Sequence, residues 1–277
     1  AFPHVQEHIM HDTFGLIAEP AAAKADPRGA VALAGVALDH RRANSYLARP
    51  GDRMKHIFLL IDGWAARYRL LSDGRRQITA LFLPGDLCDL AWRDGGKDGG
   101  RAVQHVIAIT AIRALRIELG TFERQIECDP GARTIVDHEA HLLAEAQCEW
   151  LVSLGRRSAV ERLAHLFCEL VERIGAVNAG GIGRCEMPLT QTDMADITGL
   201  TPVHVNRTLQ QMRRSGLIEL KSRQLKLRDF ARIKKIAFFR SSADNPPLKN
   251  NLPEALKVFQ NIPGAGAVPT HGRLAHA

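Results

Sequence analysis

The chain has 277 residues, 45% of them hydrophobic and 24% charged, which is ordinary for a soluble globular protein of about two domains. It has no apolar run of about 18 residues and no signal-peptide pattern at its N-terminus, so we expect a cytoplasmic protein without a membrane span. The five cysteines lack the spacing of zinc sites, and no GxSxG, P-loop, HExxH or GxGxxG motif occurs, so we expect neither an enzyme nor a bound cofactor.

The N-terminal half has the pattern of a small β-domain. Residues 1–35 carry no readable pattern, and we assign them no function. Over 36–130, short apolar runs alternate with turns that contain Pro, Gly and Asp, and a Gly-rich stretch at 93–100 predicts an exposed loop. Short β-rich segments at this spacing predict an antiparallel β-roll of the jelly-roll type, and hence an α+β protein.

The hydrophobic period changes to that of a long helix over residues 131–155. Positions at alternating gaps of four and three residues are typical of a coiled-coil seam. The seam comprises Val136, Ala140, Leu143, Gln147, Trp150 and Leu154. We expect this helix to join two copies of the chain; the alternative is a helix that packs on its own β-domain.

Residues 156–240 have the pattern of a winged helix-turn-helix domain. A helix is predicted over 158–174, a β-hairpin over 217–227 and a short helix over 229–239. The last forty residues of this domain contain eleven Lys or Arg and two acids, which indicates a partner that is a polyanion. The tail, 241–277, is rich in Pro, Gly and Asn, and we expect it to be loosely ordered.

Between these elements lies a motif for two short helices and a tight turn. Thr190 is a natural N-cap, and Asp193 has the position of the acid in a capping box. Gly199 tolerates positive φ in the turn. Thr201 then caps a second helix, and Pro202 occupies the first helical position, where a missing N–H costs nothing.

The second of these helices would enter the major groove with its N-terminal residues toward the base edges. Arg207 can donate two hydrogen bonds to one guanine, and Asn206 could contact either a base or a phosphate. Lys221 and Arg223 in the wing would contact phosphates. The residues that we expect to contact double-stranded DNA are Gln191, Thr192, Thr201, Pro202, Val203, His204, Asn206, Arg207, Arg213, Lys221 and Arg223.

Several motifs together carry a resemblance to a known family. They are GLTPVHVNR at 199–207, AVERLA at 159–164, DGRRQ at 73–77 and LPGD at 83–86. Over residues 43–239 the chain resembles the Crp/Fnr family of bacterial transcription regulators. The resemblance implies a homodimer on a two-fold symmetric operator, a sensory N-terminal domain, RNA polymerase as a partner, and Arg207 as the arginine that reads guanine.

The chain departs from the pattern of this family at three places. Val203 stands where members often carry an acidic base-reading residue. The Gly-Glu pair of cyclic-nucleotide binders falls on Asp89 and Leu90, although Arg101 lies close to the place of their phosphate-binding arginine. No cysteine precedes Cys88, which argues against an N-terminal iron–sulfur cluster. We therefore expect that cyclic AMP is not the effector, whose identity the sequence leaves open.

A function of another class is also compatible with this sequence. The chain could be a ligand-binding signalling module whose helical domain contacts only protein. Salt dependence separates the two classes, because a DNA binder loses affinity with a log–log slope of about −0.9 per phosphate contact. A module that contacts only protein should bind no duplex.

Overall fold

The computed structural model describes residues 35–88, 90, 100–177 and 181–240. The expectations for the N-terminal segment before residue 35, for the loop over 93–99 and for the tail over 241–277 therefore lie outside the described residues.

In the part of the chain that the structure describes, the strands of the N-terminal domain are β1 (Val36–Arg41), β2 (Tyr46–Ala48), β3 (His56–Asp62), β4 (Ala65–Leu70), β5 (Arg76–Phe82), β6 (Leu87–Cys88), β7 (His105–Ala108) and β8 (Ile112–Glu118). They form two four-stranded antiparallel sheets, with the strand orders β1-β8-β3-β6 and β2-β7-β4-β5. The predicted antiparallel roll is therefore confirmed. Its first two strands, which the turn pattern does not reveal, pair with β8 and β7.

Three helices follow the roll: α1 (Leu119–Cys128), α2 (Pro130–Arg156) and α3 (Ala159–Arg173). The long helix α2 agrees with the predicted one. It begins at Pro130 because Asp129 accepts hydrogen bonds from the backbone N–H groups of Gly131 and Ala132 at 2.8 and 3.3 Å. Helix α1 is an element that the sequence pattern did not predict, and its Phe122 and Ile126 are buried in the core of the roll.

The C-terminal domain contains the predicted helix pair and wing. Helices α4 (Gln191–Thr198) and α5 (Pro202–Arg214) are followed by the hairpin strands β10 (Ile218–Lys221) and β11 (Gln224–Leu227) and by helix α6 (Phe230–Ala237). A further strand, β9 (Gly183–Glu186), pairs with β11 and makes the wing a three-stranded sheet.

The two domains share one of the two hydrophobic cores. The first core fills the roll and is closed by α1 and the start of α2. The second core begins on β4 and β5, with Tyr68 and Leu81, together with Trp64 just before β4. It continues through Trp150 into α3, α5 and the wing. A sheet of the roll therefore packs directly against the helical domain.

Candidate nucleic-acid interface

Helix α4 begins at a reciprocal capping box. The Thr190 hydroxyl accepts a hydrogen bond from the Asp193 N–H at 3.1 Å, while Asp193 Oδ2 accepts from the Thr190 N–H at 2.9 Å. Two otherwise unpaired N–H groups are thereby satisfied at an exposed helix end. Gln191 and Thr192 lie next to this cap and are exposed, so the N-terminus of α4 is open to an anionic partner.

The turn between α4 and α5 depends on Gly199. Its φ of 64° lies in the left-handed region, and a Cβ there would come within 2.8 Å of Leu154 Cδ2. Thr201 then accepts a hydrogen bond from the His204 N–H at 3.2 Å, and Pro202 is the first residue of α5. The predicted caps and turn are confirmed, and they fix the angle between the two helices.

Helix α5 presents one buried face and one exposed face. Val205, Leu209 and Met212 are at most 1% exposed and anchor the helix in the second core. On the opposite side, Val203 is 80% exposed and Arg207 is also exposed. An exposed apolar side chain at this end of the helix is suited to a partner such as a thymine methyl group.

Asn206 takes part in a chain of side-chain hydrogen bonds. Its amide nitrogen donates to Gln191 Oε1 at 3.0 Å, and its amide oxygen accepts from Gln210 Nε2 at 2.8 Å. The first of these bonds joins α5 to α4. Asn206 therefore orients Gln191 in addition to any contact with DNA, a role that the sequence did not reveal.

The wing turns sharply at Ser222 and Arg223, both of which have positive φ, 49° and 60°. Lys221 and Arg223 are exposed at this tip, although the Arg223 guanidinium donates to the Pro188 carbonyl at 3.4 Å. Arg213 donates to the Leu220 carbonyl at 3.2 Å and so links the end of α5 to the wing. Of the predicted basic residues, Arg213 therefore lies at the end of α5, and Lys221 and Arg223 lie at the tip of the wing.

Arg162 connects the helix pair to the long helix. Its guanidinium donates to three carbonyls, those of Leu154 in α2, Arg157 in the connection and Thr198 at the end of α4, at 2.8–2.9 Å. One side chain thus satisfies the ends of two helices and fixes the position of α4 relative to α2. The sequence marked Arg162 only as part of a motif.

Comparisons with known proteins agree with this arrangement. The model of the cyclic nucleotide-binding domain matches residues 39–129, and that of the Crp-like helix-turn-helix domain matches residues 161–236. The nitrogen fixation regulation protein FixK of Bradyrhizobium diazoefficiens is 34% identical over 67% of this chain and 76% of its own length. The chain belongs to the Crp/Fnr family.

Other members of the Crp/Fnr family give the same result. The transcriptional activator protein FnrL of Cereibacter sphaeroides is 31% identical over 66% of this chain and 73% of its own length. The structure of FixK2 from Bradyrhizobium japonicum superimposes with a TM-score of 0.62 over 74% of this chain and 99% of that one, at 24% identity. This Crp/Fnr protein is thus a transcription regulator with a DNA-binding helix-turn-helix, and its relatives are named as regulators.

In helix α2 of this Crp/Fnr protein, two residues of the predicted dimer seam, Val136 and Trp150, are buried within their own chain. Val136 is fully buried in the roll core, and Trp150 is 8% exposed and donates through Nε1 to Glu169 Oε2 at 2.7 Å. Both side chains are covered by their own chain, so neither offers surface to a second copy. Leu143, Gln147 and Leu154 are half-buried, and Ala140 is exposed.

The exposed face of α2 is offset from the predicted seam by less than one quarter of a turn. It carries Ala140, Ala144, Cys148 and Leu151, spaced by four, four and three residues, and Leu151 is 73% exposed. Such spacing keeps the four residues on one side of a helix. The small side chains leave room for the close approach of another helix.

The roll lacks part of what a cyclic nucleotide needs. Leu90, at the position of the ribose-binding glutamate of the family, is 7% exposed and packs in the roll core with Leu87 and Cys88. Arg101 is exposed and donates to the Gly51 carbonyl at 2.8 Å. An apolar side chain cannot bond a ribose hydroxyl. Leu90 therefore cannot make the ribose contact of cyclic-nucleotide binders, while residues 89 and 91–99 beside it lie outside the described residues.

A cluster of buried charges lies where the roll meets α2 and α3. Arg173 donates to Asp86 of the roll and to Glu169, at 3.4 Å for the latter, and Glu139 of α2 lies nearby. Burial, reinforced by the Asp86 carboxylate and opposed by Arg173, raises the pKa of Glu139 to about 7. Three carboxyl groups thus lie around one guanidinium. Glu169 and Arg173 are one helical turn apart, but Asp86 and Glu139 are distant along the chain, so sequence patterns do not reveal the cluster.

A second buried group lies at the connection between α2 and α3. His165 is 3% exposed, and its Nε2 is 3.3 Å from Glu149 Oε2. Burial and the nearby Arg157 lower the pKa of His165 to about 4, although Glu149 opposes this effect. The imidazole is therefore neutral at physiological pH.

The described residues, with their gaps at 89, 91–99 and 178–180, contain no helix that is long and apolar enough to cross a membrane.

Proposed function

We propose that this protein binds a two-fold symmetric operator as a homodimer, with helix α5 of each copy in successive major grooves. The proposed division is a sensory roll over 36–130, a dimerisation helix over 131–155 and a DNA-binding domain over 156–240. Half-sites for such dimers are centred about 34 Å apart, one turn of the duplex. Family membership supports this arrangement.

The observation that carries the proposal is the exposed N-terminal half of α5. Val203 and Arg207 lie one turn apart on the face opposite to the buried Val205 and Leu209. In this proposal Arg207 reads a guanine through two hydrogen bonds, and Val203 contacts a thymine methyl group. Thr201, Pro202 and His204 line the same end of the helix. The half-site therefore differs from that of members with an acid at the position of Val203.

In this proposal, phosphate contacts lie on both sides of the N-terminal half of α5. Gln191 and Thr192 at the N-terminus of α4 contact the backbone on one side, and Lys221 with Arg223 at the wing tip contact it on the other. Arg213, at the end of α5, adds positive charge between them. These contacts set the register of α5 but do not distinguish bases.

We propose that the exposed face of α2 pairs with its copy in the dimer. Ala140 belongs both to the predicted seam and to this face, whereas Leu151 replaces Trp150 as its large apolar residue. Small residues at spacings of four permit two helices to approach closely, and Leu151 supplies apolar area near the DNA-binding domain. The effector-sensing role of the roll and a contact with RNA polymerase remain proposals that rest on the family.

Selection of bound duplexes from a random pool tests the function. The proposal predicts an enriched sequence with two inverted half-sites one helical turn apart. If the purified protein enriches no duplex at low ionic strength, then the alternative of a module that contacts only protein is favoured.

The role of Arg207 is tested on the selected duplex. Arg207→Ala is expected to weaken binding by about 1–3 kcal/mol and to relax the preference at one base pair of each half-site. Arg232→Ala removes the same charge from an exposed position on α6 and is the control. Equal effects of both substitutions, with the base preference unchanged, would contradict the assigned role.

A further inference from the structure

A charged contact joins the sensory roll directly to the helix-turn-helix. Arg76, the first residue of β5, donates through Nε to Asp196 Oδ2 at 2.6 Å and through Nη2 to Asp193 Oδ1 at 2.7 Å. The next residue, Gln77, donates to the Ile197 carbonyl at 3.3 Å. Both acids and this carbonyl belong to α4, so one end of β5 holds one side of the first helix of the DNA-binding motif.

This contact is more specific than an ordinary surface ion pair. The side chains of Arg76, Asp193 and Asp196 are 27, 15 and 19% exposed, and the two acids use different nitrogens of one guanidinium. The guanidinium also lies 5.4 Å from the ring centre of Tyr68, which is buried. A fully exposed ion pair contributes little to stability. The Arg76 guanidinium, by contrast, is planar and is held by two acids and a ring, so it has one favourable position.

The contact extends to the residues that face DNA. Asp193 uses Oδ1 for Arg76 and Oδ2 for the cap at Thr190, so the same carboxylate serves the roll and the N-terminus of α4. The next residue after that cap, Gln191, accepts the hydrogen bond from Asn206 in α5. Hydrogen bonds at Asp193 and Gln191, joined by the peptide bond from Thr190 to Gln191, thus lead from Arg76 to the recognition helix.

Charge gives the contact a second consequence. The first helix of a helix-turn-helix crosses the DNA backbone, and the two acids of α4 would repel phosphates there. Arg76 is the basic residue that pairs with both of them. Without it, α4 would approach the backbone with two uncompensated negative charges.

We infer that Arg76 is a positioning residue for DNA binding, through which the roll fixes the orientation of α4 and α5 for the major groove. This inference rests on the proposed function. It differs from a role of the roll that acts only through α2, because β5 reaches the helix-turn-helix itself.

Substitution at Arg76, with a matched control at the neighbouring residue, tests the inference. Arg75 is 77% exposed, and within the described residues its guanidinium pairs with Asp73 of the same hairpin at 2.7 Å. On the selected duplex, Arg76→Ala is expected to weaken binding about tenfold, the scale of a typical coupling between sites. Arg75→Ala should bind like the unmodified protein, and Arg76→Lys should recover part of the loss. Equal affinities of Arg76→Ala and Arg75→Ala would overturn the inference.

A double-mutant cycle distinguishes positioning from a direct contact with DNA. If Arg76 acts through α4, then Arg76→Ala should cost much less in a protein that already carries Asp196→Ala. Asp196 is chosen because Asp193 also caps α4. Arg76→Ala could instead weaken DNA binding equally with and without Asp196→Ala. If it also lowered the slope of log affinity against log salt concentration by about one phosphate contact, then Arg76 would bind phosphate itself, and the inference would fail.

Hydrogen exchange without DNA gives a readout that is independent of the proposed function. Arg76→Ala should speed exchange of the backbone amides in α4, while amides in β8 stay protected. If the unmodified protein bound no duplex, the proposed function would fail, and the exchange rates would still decide whether Arg76 holds α4. Unchanged exchange in α4 would contradict the inference.

Discussion

Glu139→Gln is expected to make the folded protein more stable at alkaline pH and to leave its stability nearly unchanged at acidic pH. Glu139 is 9% exposed in the cluster with Asp86 and Arg173, and its pKa is about 7 in place of the ordinary 4.5. Glutamine has the shape of the protonated acid but does not titrate. The substitution therefore replaces a group that must hold a proton in the folded state.

Proton linkage gives the sign and the size of the change in the free energy of unfolding with pH. Between pH 4.5 and 7 the folded protein keeps the proton on Glu139 while the unfolded chain has lost it, so the free energy of unfolding falls as pH rises. Each pKa unit corresponds to about 1.4 kcal/mol, so a shift from 4.5 to about 7 lowers the free energy of unfolding by at most about 3.5 kcal/mol by pH 8. The glutamine variant avoids this loss.

Urea denaturation at several pH values between 4 and 8 measures the effect. At each pH, the free energy of unfolding of the unmodified protein is subtracted from that of the variant, because the contributions of other titrating groups cancel in this difference. His165 is one of them, since its pKa of about 4 makes stability rise with pH over a similar range. Glu145→Gln, at an exposed position of the same helix, is the control. A difference for Glu139→Gln that stays constant with pH would refute the reasoning.

Two further substitutions test the dimer face and the turn. Leu151→Glu should give a folded monomer in sedimentation velocity, whereas Val103→Glu, at a position on the roll that is 66% exposed against 73% for Leu151, should leave a dimer. A dimeric Leu151→Glu protein would show that α2 pairs through another face. Gly199→Ala should lower the free energy of unfolding by about 1–2 kcal/mol, because its φ of 64° lies in the left-handed region, whereas the Leu154 methyl group can shift. Gly155→Ala, in helix α2 without positive φ and with no atom nearby, is the control, and an equal cost of the two substitutions in urea denaturation would contradict this explanation.

The helix-turn-helix could be predicted from sequence because local chemistry specifies it. The cap at Thr190, the left-handed turn at Gly199 and the start of α5 at Pro202 each depend on a few neighbouring residues. The alternating pattern of the roll and the helical period of α2 are local in the same sense. The strand β9 escaped prediction because its four residues are too few to show a period. Helix α1 does carry apolar residues at gaps of three and four, Leu119, Phe122 and Ile126, so its period was present in the sequence and was missed.

The sequence did not show which part of the protein covers each buried side chain. The period of α2 correctly indicated an apolar side but not what covers it, and Val136 and Trp150 turned out to be buried by their own chain. Periodicity records that a side chain is withdrawn from water, and a second copy or the same chain satisfies that equally. Asn206 likewise has the chemistry of a base reader, although it also bonds Gln191 and Gln210.

By itself, the sequence determined the order of the roll, the long helix and the winged helix-turn-helix, the caps and turn of the DNA-binding motif and the arginine on its second helix, since each follows from residues close together along the chain. Only the tertiary structure decided which faces meet. Arg76 pairs with Asp193 across 117 positions, and Arg173 gathers carboxyl groups from the roll and from its own helix. Such contacts depend on how two domains pack, and burial then sets the pKa of Glu139, for which the linear order of residues contains no signal.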